Sequence, residues 1–195
     1  MYKLLIAILR FFVKLLWGLE VEGLENIPEE GGAVVAANHT MWFDPFAVAI
    51  ALKRPIHFMA KAELFENPVV RWVLIKIYAF PVKRGLADRD AIREAQDLVS
   101  SGHLLGIFPE GTRNKGEDDL LPLQGGAALI SLKTGVPVVP VIIRGVNPVR
   151  FRKPIKVSIG NPVDLGGPKR TNKHEVAQAS GMISEEFSAL LRRNN

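Results

Sequence analysis

In the stretch "AANHTMWFDPFA", residues 36–47, His39 and Asp44 stand five positions apart, after an apolar run and before a proline. On one continuous helix, residues at that spacing would lie about 140° apart around the axis. A turn between a strand and a helix removes that obstacle and lets the aspartate fold back under the imidazole. One ring nitrogen then donates to the carboxylate, which fixes the tautomer, and the other is free to take a proton near neutral pH. The simpler reading makes Asp44 only an N-cap, with Pro45 at the first helical position, and His39 only a polar strand end.

If the pair is a base and its orienter, the chain offers it no nucleophile of its own. There is no cysteine, no Gly-x-Ser-x-Gly elbow and no serine before Ser100. The hydroxyl to be activated must then belong to the substrate. No second histidine or carboxylate stands at ligand spacing, so no metal is expected. Zero cysteines also exclude a disulfide scaffold and a zinc ribbon.

Two further polar clusters follow apolar runs. In "IFPEGTRN", residues 107–114, a carboxylate, a glycine, a hydroxyl and a cation arrive together. Gly111 permits close backbone approach, Arg113 suits a phosphate, and Glu110 can accept from a substrate hydroxyl or buttress the arginine. A β-turn with a surface ion pair would use the same residues. In "YAFPVKRG", Lys83 and Arg84 are either solvated surface charge or half of a phosphate clamp.

Elements to carry these clusters can be read from periodicity. Strands are expected at "LEVEGLENIP", "GGAVVAAN", "PIHFMAK", "AFPVKR", "LLGIFPEG", "VPVVPVIIRGV" and "KPIKVSIGNPV". Helices are expected at "PFAVAIALK", "NPVVRWVLIKIY" (with Asn67 as its cap and Pro68 next), "DRDAIREAQDLVSSG", "GGAALISLKTG" and residues 173–193. Pro137 and Pro140 argue that "VPVVPVIIRGV" is an edge or irregular strand. The alternation predicts a single layered α/β domain around a largely parallel or mixed sheet, with ligands at the carboxyl ends of the strands. Length supports one domain: 195 residues with 48% apolar content supply one sizeable core.

The first turns differ from the rest. "MYKLLIAILRFFVKLLWGLE" is apolar apart from Lys3, Arg10 and Lys14 until Glu20, and on a helix those cations fall in a stripe roughly 40° wide. Leu4, Leu5, Ile8, Phe11, Phe12, Leu15 and Trp17 fill much of the remaining circumference. A spanning helix would bury three cations, whereas a helix lying in the membrane interface keeps them at the headgroups. Residues 1–19 are therefore expected to be an interfacial, monotopic helix preceding a domain of residues 20–195. A helix packed on the protein's own core is the alternative, and a signal peptide is disfavoured by the interrupting charges and the missing cleavage site. The net charge of +5 favours an anionic partner. Nucleic acid is disfavoured, because outside the first segment aromatic residues do not alternate with cations.

Taken in order, Asn38-His39 with Asp44, "FPVKRG", "FPEGTR" and "VPVVPV" resemble the four blocks of the glycerolipid acyltransferase family, which includes the 1-acyl-glycerol-3-phosphate acyltransferases. The resemblance covers about residues 20–165. It implies that His39 is the general base for a glycerol hydroxyl and that Asp44 stabilises the imidazolium. It also implies that Arg84 and Arg113 bind the acceptor's phosphate, and that Glu110, Gly111 and Thr112 shape the glycerol site. Asn38, Lys83 and Pro140 are secondary candidates, Pro140 on the acyl or donor side. The implied acceptor is lysophosphatidic acid and the donor acyl-CoA or acyl carrier protein, with no cofactor and no acyl-enzyme. The implied setting is an anionic membrane surface on the cytoplasmic side of the cell membrane. Another lysophospholipid, an amino-acid lipid acceptor or a non-catalytic lipid carrier are the competing readings. Where many relatives carry a lysine after the third block, this chain has Gln124.

Overall fold

The computed structural model describes residues 2–83, 88–114, 116, 120–146, 153–167 and 171–193. Seven strands form one sheet: β1 (Leu19–Glu22), β2 (Ala33–Ala37), β3 (Ile56–Lys61), β4 (Ala79–Val82), β5 (Leu104–Ile107), β6 (Val138–Arg144) and β7 (Ile155–Ile159). Among the described residues, six α-helices accompany them: α1 (Tyr2–Leu16), α2 (Asp44–Ala51), α3 (Pro68–Lys76), α4 (Arg89–Ser100), α5 (Gly126–Thr134) and α6 (Lys173–Arg193). The sheet order is β1-β7-β6-β2-β5-β3-β4, parallel throughout except for the β6–β7 pair. This is the expected layered α/β domain.

Alternation of side chains sorts the core into two layers. Ala33, Val35, Ala37, Val139, Val141 and Ile143 pack under α1 and α2, whereas Val34, Ala36, Leu105, Val138 and Ile142 pack under α4, α5 and α6. Every residue of β2 is buried, as the unbroken apolar run requires of a strand covered on both faces. Strands β5 and β6 lie on opposite sides of β2, so the carboxyl end of β2 opens into the crevice where α/β sheets place ligands.

Pro137, just before β6, and Pro140 within it point to an edge or an irregular strand; β6 lies inside the sheet between β7 and β2, and its ladder is irregular at Pro140. The neighbouring ladder explains this. The Pro140 carbonyl accepts from Gly160 N–H, and Val138 exchanges bonds with Val163. Opposite Gly160, Pro140 therefore keeps the bond to its carbonyl and forgoes only the reciprocal one that an N–H would give, at the end of β7 before the Val163 bridge. Pro140 shares the face of Val138 and Ile142, towards α5 and α6.

Helix α1 packs one stripe on the protein's own core and leaves the opposite arc outward. Tyr2, Ile6 and Val13 are buried against the core, while Leu4, Leu5, Ile8, Phe11, Phe12, Leu15 and Leu16 are exposed on the outer arc. Arg10 departs from the expected headgroup stripe. It turns inward, with Nε 2.6 Å from the Ile50 carbonyl oxygen and Nη2 2.6 Å from that of Leu52. Those carbonyls close α2 and lack partners within the helix, so the guanidinium has a stronger reason to dock than to reach outward. Among the described residues, no helix is long and apolar enough to cross a membrane.

An aromatic ladder ties the start of α1 to the β3–β4 edge. Tyr2 stacks on Tyr78 at 4.7 Å, Tyr78 on His57 at 5.0 Å, and His57 meets His103 edge-on at 5.2 Å. Tyr78 holds a left-handed backbone conformation, φ 58°, and Ile56 N–H donates to the Tyr2 hydroxyl. Burial first, and the neighbouring His103 second, hold the His57 imidazole below its ordinary pKa, against a bond to the Leu104 backbone. The unfolded chain then takes up this proton at higher pH than the folded one, so stability rises with pH through that window and is lost as pH falls below the ordinary histidine range. Substituting His57→Phe keeps a ring for the stack and removes the titration. Its melting temperature should therefore fall less than that of the unaltered chain between about pH 7 and pH 5, as measured by circular dichroism.

Candidate active site

The carboxyl end of β2 delivers His39, and the turn that follows brings Asp44 back beneath it. His39 Nδ1 lies 2.8 Å from Asp44 Oδ2, and the same oxygen accepts from the amides of Thr40 at 2.6 Å and Met41 at 2.7 Å. Asp44 has no exposed surface. It is the first helical residue rather than the expected cap, a place taken by Phe43, and it makes no forward capping bond. The Phe43 carbonyl accepts from the amides of Phe46 and Ala47 and holds the first turn, while Pro45 has no N–H to offer. The carboxylate is left to bond backward.

His39 Nε2 has no partner among the described residues, and His39 lines a cavity of about 430 Å³. Its ring stacks on Phe108 at 4.2 Å, and Phe108 stacks on Phe58 at 6.1 Å. Phe58 lies against Gly106 of β5, where any Cβ would overlap its ring. The backbone of His39 is held as firmly as its ring. His39 N–H donates to Glu110 Oε1 at 2.6 Å, and its carbonyl accepts from Asn114 N–H at 2.6 Å.

Glu110, expected to accept from a substrate hydroxyl or to buttress Arg113, is taken up instead by backbone amides. It is 3% exposed, and its second oxygen accepts from Leu121 N–H at 2.9 Å. Burial pushes its carboxyl above the ordinary value, against the lowering pull of the Leu121 and His39 amides. Gly111, at φ 70°, closes a turn on the Phe108 carbonyl and lies under the Gln124 side chain, where a Cβ would collide. The left-handed backbone is what favours glycine here, since the end of the Gln124 side chain can move aside.

The remaining candidates separate. Arg113 is exposed at the cavity, with no ion pair among the described residues, and Thr112 is exposed beside it. Asn38 is turned away from the cavity: its Nδ2 donates to the Ile143 carbonyl and its Oδ1 accepts from Ile143 N–H, stitching β2 to β6. Pro140 faces the opposite layer of the sheet. Lys83 is exposed beyond β4, its amide donating to Asp88. Arg84 lies outside the described residues. Among the described residues, no group of three or more histidines, aspartates or glutamates is placed to hold a metal.

The cavity is apolar beyond its polar end. Pro45, Phe46, Phe58, Val73, Ile77 and Phe108 are among its walls, with His39, Lys61 and Arg113 as its charged or titratable groups. A second hollow of about 300 Å³ lies between α1 and α3 and shares Trp42, Phe46, Val73 and Ile77 with the first. Another, of about 500 Å³, runs along α4 past Asp90, Glu94, Asp97 and His103, and includes no residue of the His39 site. Sequence reasoning missed Phe108, Asn114 and Phe58. The aromatic before "PEG" and the asparagine after "GTR" were readable, but the stack through Gly106 joins three separate segments.

An isosteric change tests the clamp on the His39 backbone. Glu110→Gln places a donor where an acceptor serves one of two buried amides, so stability should fall by about 1–3 kcal/mol, read by chemical denaturation. The His39 amide should exchange its hydrogen faster than in the unaltered chain.

A family model described as acyltransferase matches residues 18–144. The chain is 36% identical over 167 residues to the 1-acyl-sn-glycerol-3-phosphate acyltransferase of Bacillus subtilis, covering 84% of this chain and 82% of that protein. It is 30% identical over 188 residues to the enzyme of the same name from Streptococcus pneumoniae, covering 91% and 69%. The crystal structure of the 1-acyl-sn-glycerophosphate (LPA) acyltransferase PlsC from Thermotoga maritima superposes with a TM-score of 0.72 at 26% identity, covering 99% of this chain and 81% of that one. With the matched segment running through β2, the His39–Asp44 turn and the Glu110–Arg113 loop, the chain belongs to the acyltransferase family.

Proposed function

We propose that this acyltransferase moves an acyl chain onto the free hydroxyl of 1-acyl-glycerol-3-phosphate, giving phosphatidic acid. The observation that carries the reading is the pairing of His39 Nδ1 with Asp44 at 2.8 Å while Nε2 is left for the cavity. The relatives' names supply the acceptor.

In this reading the acceptor hydroxyl gives its proton to His39 Nε2 as its oxygen attacks the donor's thioester carbonyl. Asp44 stabilises the imidazolium that forms. As the tetrahedral intermediate collapses, the carbon–sulfur bond breaks and the proton passes from Nε2 to the departing thiolate. No acyl-enzyme arises, in keeping with the lack of a cysteine. Arg113 binds the acceptor's phosphate from the rim, with Arg84 as the second cation and Thr112 beside it. The apolar walls take an acyl chain, and the donor is acyl-CoA or acyl carrier protein.

The setting we propose is a bilayer surface. The exposed arc of α1 continues across Trp42 and the outward residues Val69, Trp72 and Ile75 of α3, these four each more than half exposed. Lys3, Lys14, Arg71 and Lys76 border this apolar surface and match anionic headgroups.

Two measurements test these assignments. With purified protein, lysophosphatidic acid and each donor in turn, mass spectrometry should detect phosphatidic acid, and His39→Ala should lower the rate by about 10²–10⁴-fold with lysolipid binding retained. An active His39→Ala enzyme would refute the mechanism. Separately, replacing Leu4, Ile8, Phe11 and Leu15 together with serine touches only exposed side chains. Sedimentation with anionic vesicles should drop by about tenfold or more without loss of melting temperature.

A further inference from the structure

We infer that Arg10 is a positioning residue for the His39–Asp44 pair, acting through the length of α2. The inference rests on the reading of that pair as base and orienter. Its starting point is the composition of α2, "DPFAVAIA". Beyond Asp44 the helix holds no polar side chain, and Ala47, Val48, Ala49, Ile50 and Ala51 are all buried. Apolar contact is non-directional, so it holds the helix in the core without fixing its slide or rotation. Directional bonds must supply those restraints.

Side-chain bonds supply them at the two ends. At the first residue, Asp44 Oδ2 gathers His39 Nδ1 and two turn amides. At the last turn, the carbonyls of Ile50 and Leu52 lie beyond the reach of intrahelical donors and receive Arg10 Nε and Nη2, both at 2.6 Å. Two bonds from one planar group fix direction as well as distance, and the positive charge meets the negative end of the helix dipole. Eight residues rise only about 12 Å. A shift at Leu52 is therefore carried to Asp44 with few intervening joints, and Asp44 is what sets the His39 ring. Arg10 sits on α1, so the outer helix and the catalytic turn share one mechanical connection.

The test uses the full-length protein. Arg10→Ala should lower kcat by about tenfold to a hundredfold while KM for lysophosphatidic acid stays within about twofold, because α2 moves the base and leaves Arg113 in place. Arg10→Lys restores the charge but not the planar fork, and should recover part of kcat. The proton on His39 Nδ1, assigned by its loss in His39→Ala, should give a downfield resonance that shifts or broadens in Arg10→Ala. A folded Arg10→Ala protein with unchanged kcat, or one whose kcat falls while that resonance stays as it was, would overturn the inference. Should Arg10→Ala not fold, Arg10→Lys alone decides: full kcat with an unmoved resonance refutes the coupling. Should His39→Ala prove active, the base assignment fails on its own, and the resonance still reports whether Arg10 orders the pair.

Discussion

The carboxylate of Asp44 is buried completely and must find its donors within the protein. Three of them converge on one oxygen, Oδ2, and they come from consecutive residues 39, 40 and 41. The turn between β2 and α2 is therefore wrapped around a single atom. The other oxygen, Oδ1, is buried with no partner among the described residues. The pairing is consequently one-sided: the bonded oxygen is the one that also organises the Thr40 and Met41 amides, so the imidazole cannot swing away without breaking the turn.

Around that atom, the rest of the site is a set of restraints on His39. Glu110 and Asn114 grip its backbone from the loop after β5, Phe108 supports its ring face, and Gly106 leaves space for Phe58 behind that ring. All of these come from β5 or its following loop except Phe58. Parallel pairing of β2 with β5, in the register Ala36 with Ile107, puts the two strand ends level, and that alignment lets a loop some seventy residues later close on the histidine.

Much of this was legible in the chain. Asn67 followed by Pro68 marks a helix start because an asparagine oxygen can serve the free amides, and Asn67 does accept from Val69 and Val70. The buried run at β2 and the helix at residues 173–193 follow from periodicity alone. What could not be read is which of two polar partners a side chain takes. Glu110 looks like a ligand for a hydroxyl, but two amides in its own fold claim it first. Arg10 looks like a headgroup cation, yet α2 ends just inside α1 with carbonyls to satisfy. Asp44 looks like a cap, but the Phe43 carbonyl takes the amides it would have capped. Each reversal depends on backbone groups that sequence spacing does not locate.

The same competition explains why the two sides of the sheet differ. Helices α4, α5 and α6 close one layer, α4 and α6 with amphipathic faces and α5 buried on most of its circumference. On the other, α1 offers a narrow buried stripe of Tyr2, Ile6 and Val13 and a wide apolar arc left exposed among the described residues. Were burial of apolar surface within the chain the only demand, the helix would turn that arc inward. It is held the other way by directional bonds, the Tyr2 hydroxyl on Ile56 and the Arg10 guanidinium on α2. A small number of polar ties thus sets which apolar surface is kept for the protein and which is presented outward. That choice places the outward arc on the same layer as α2 and the mouth of the His39 cavity.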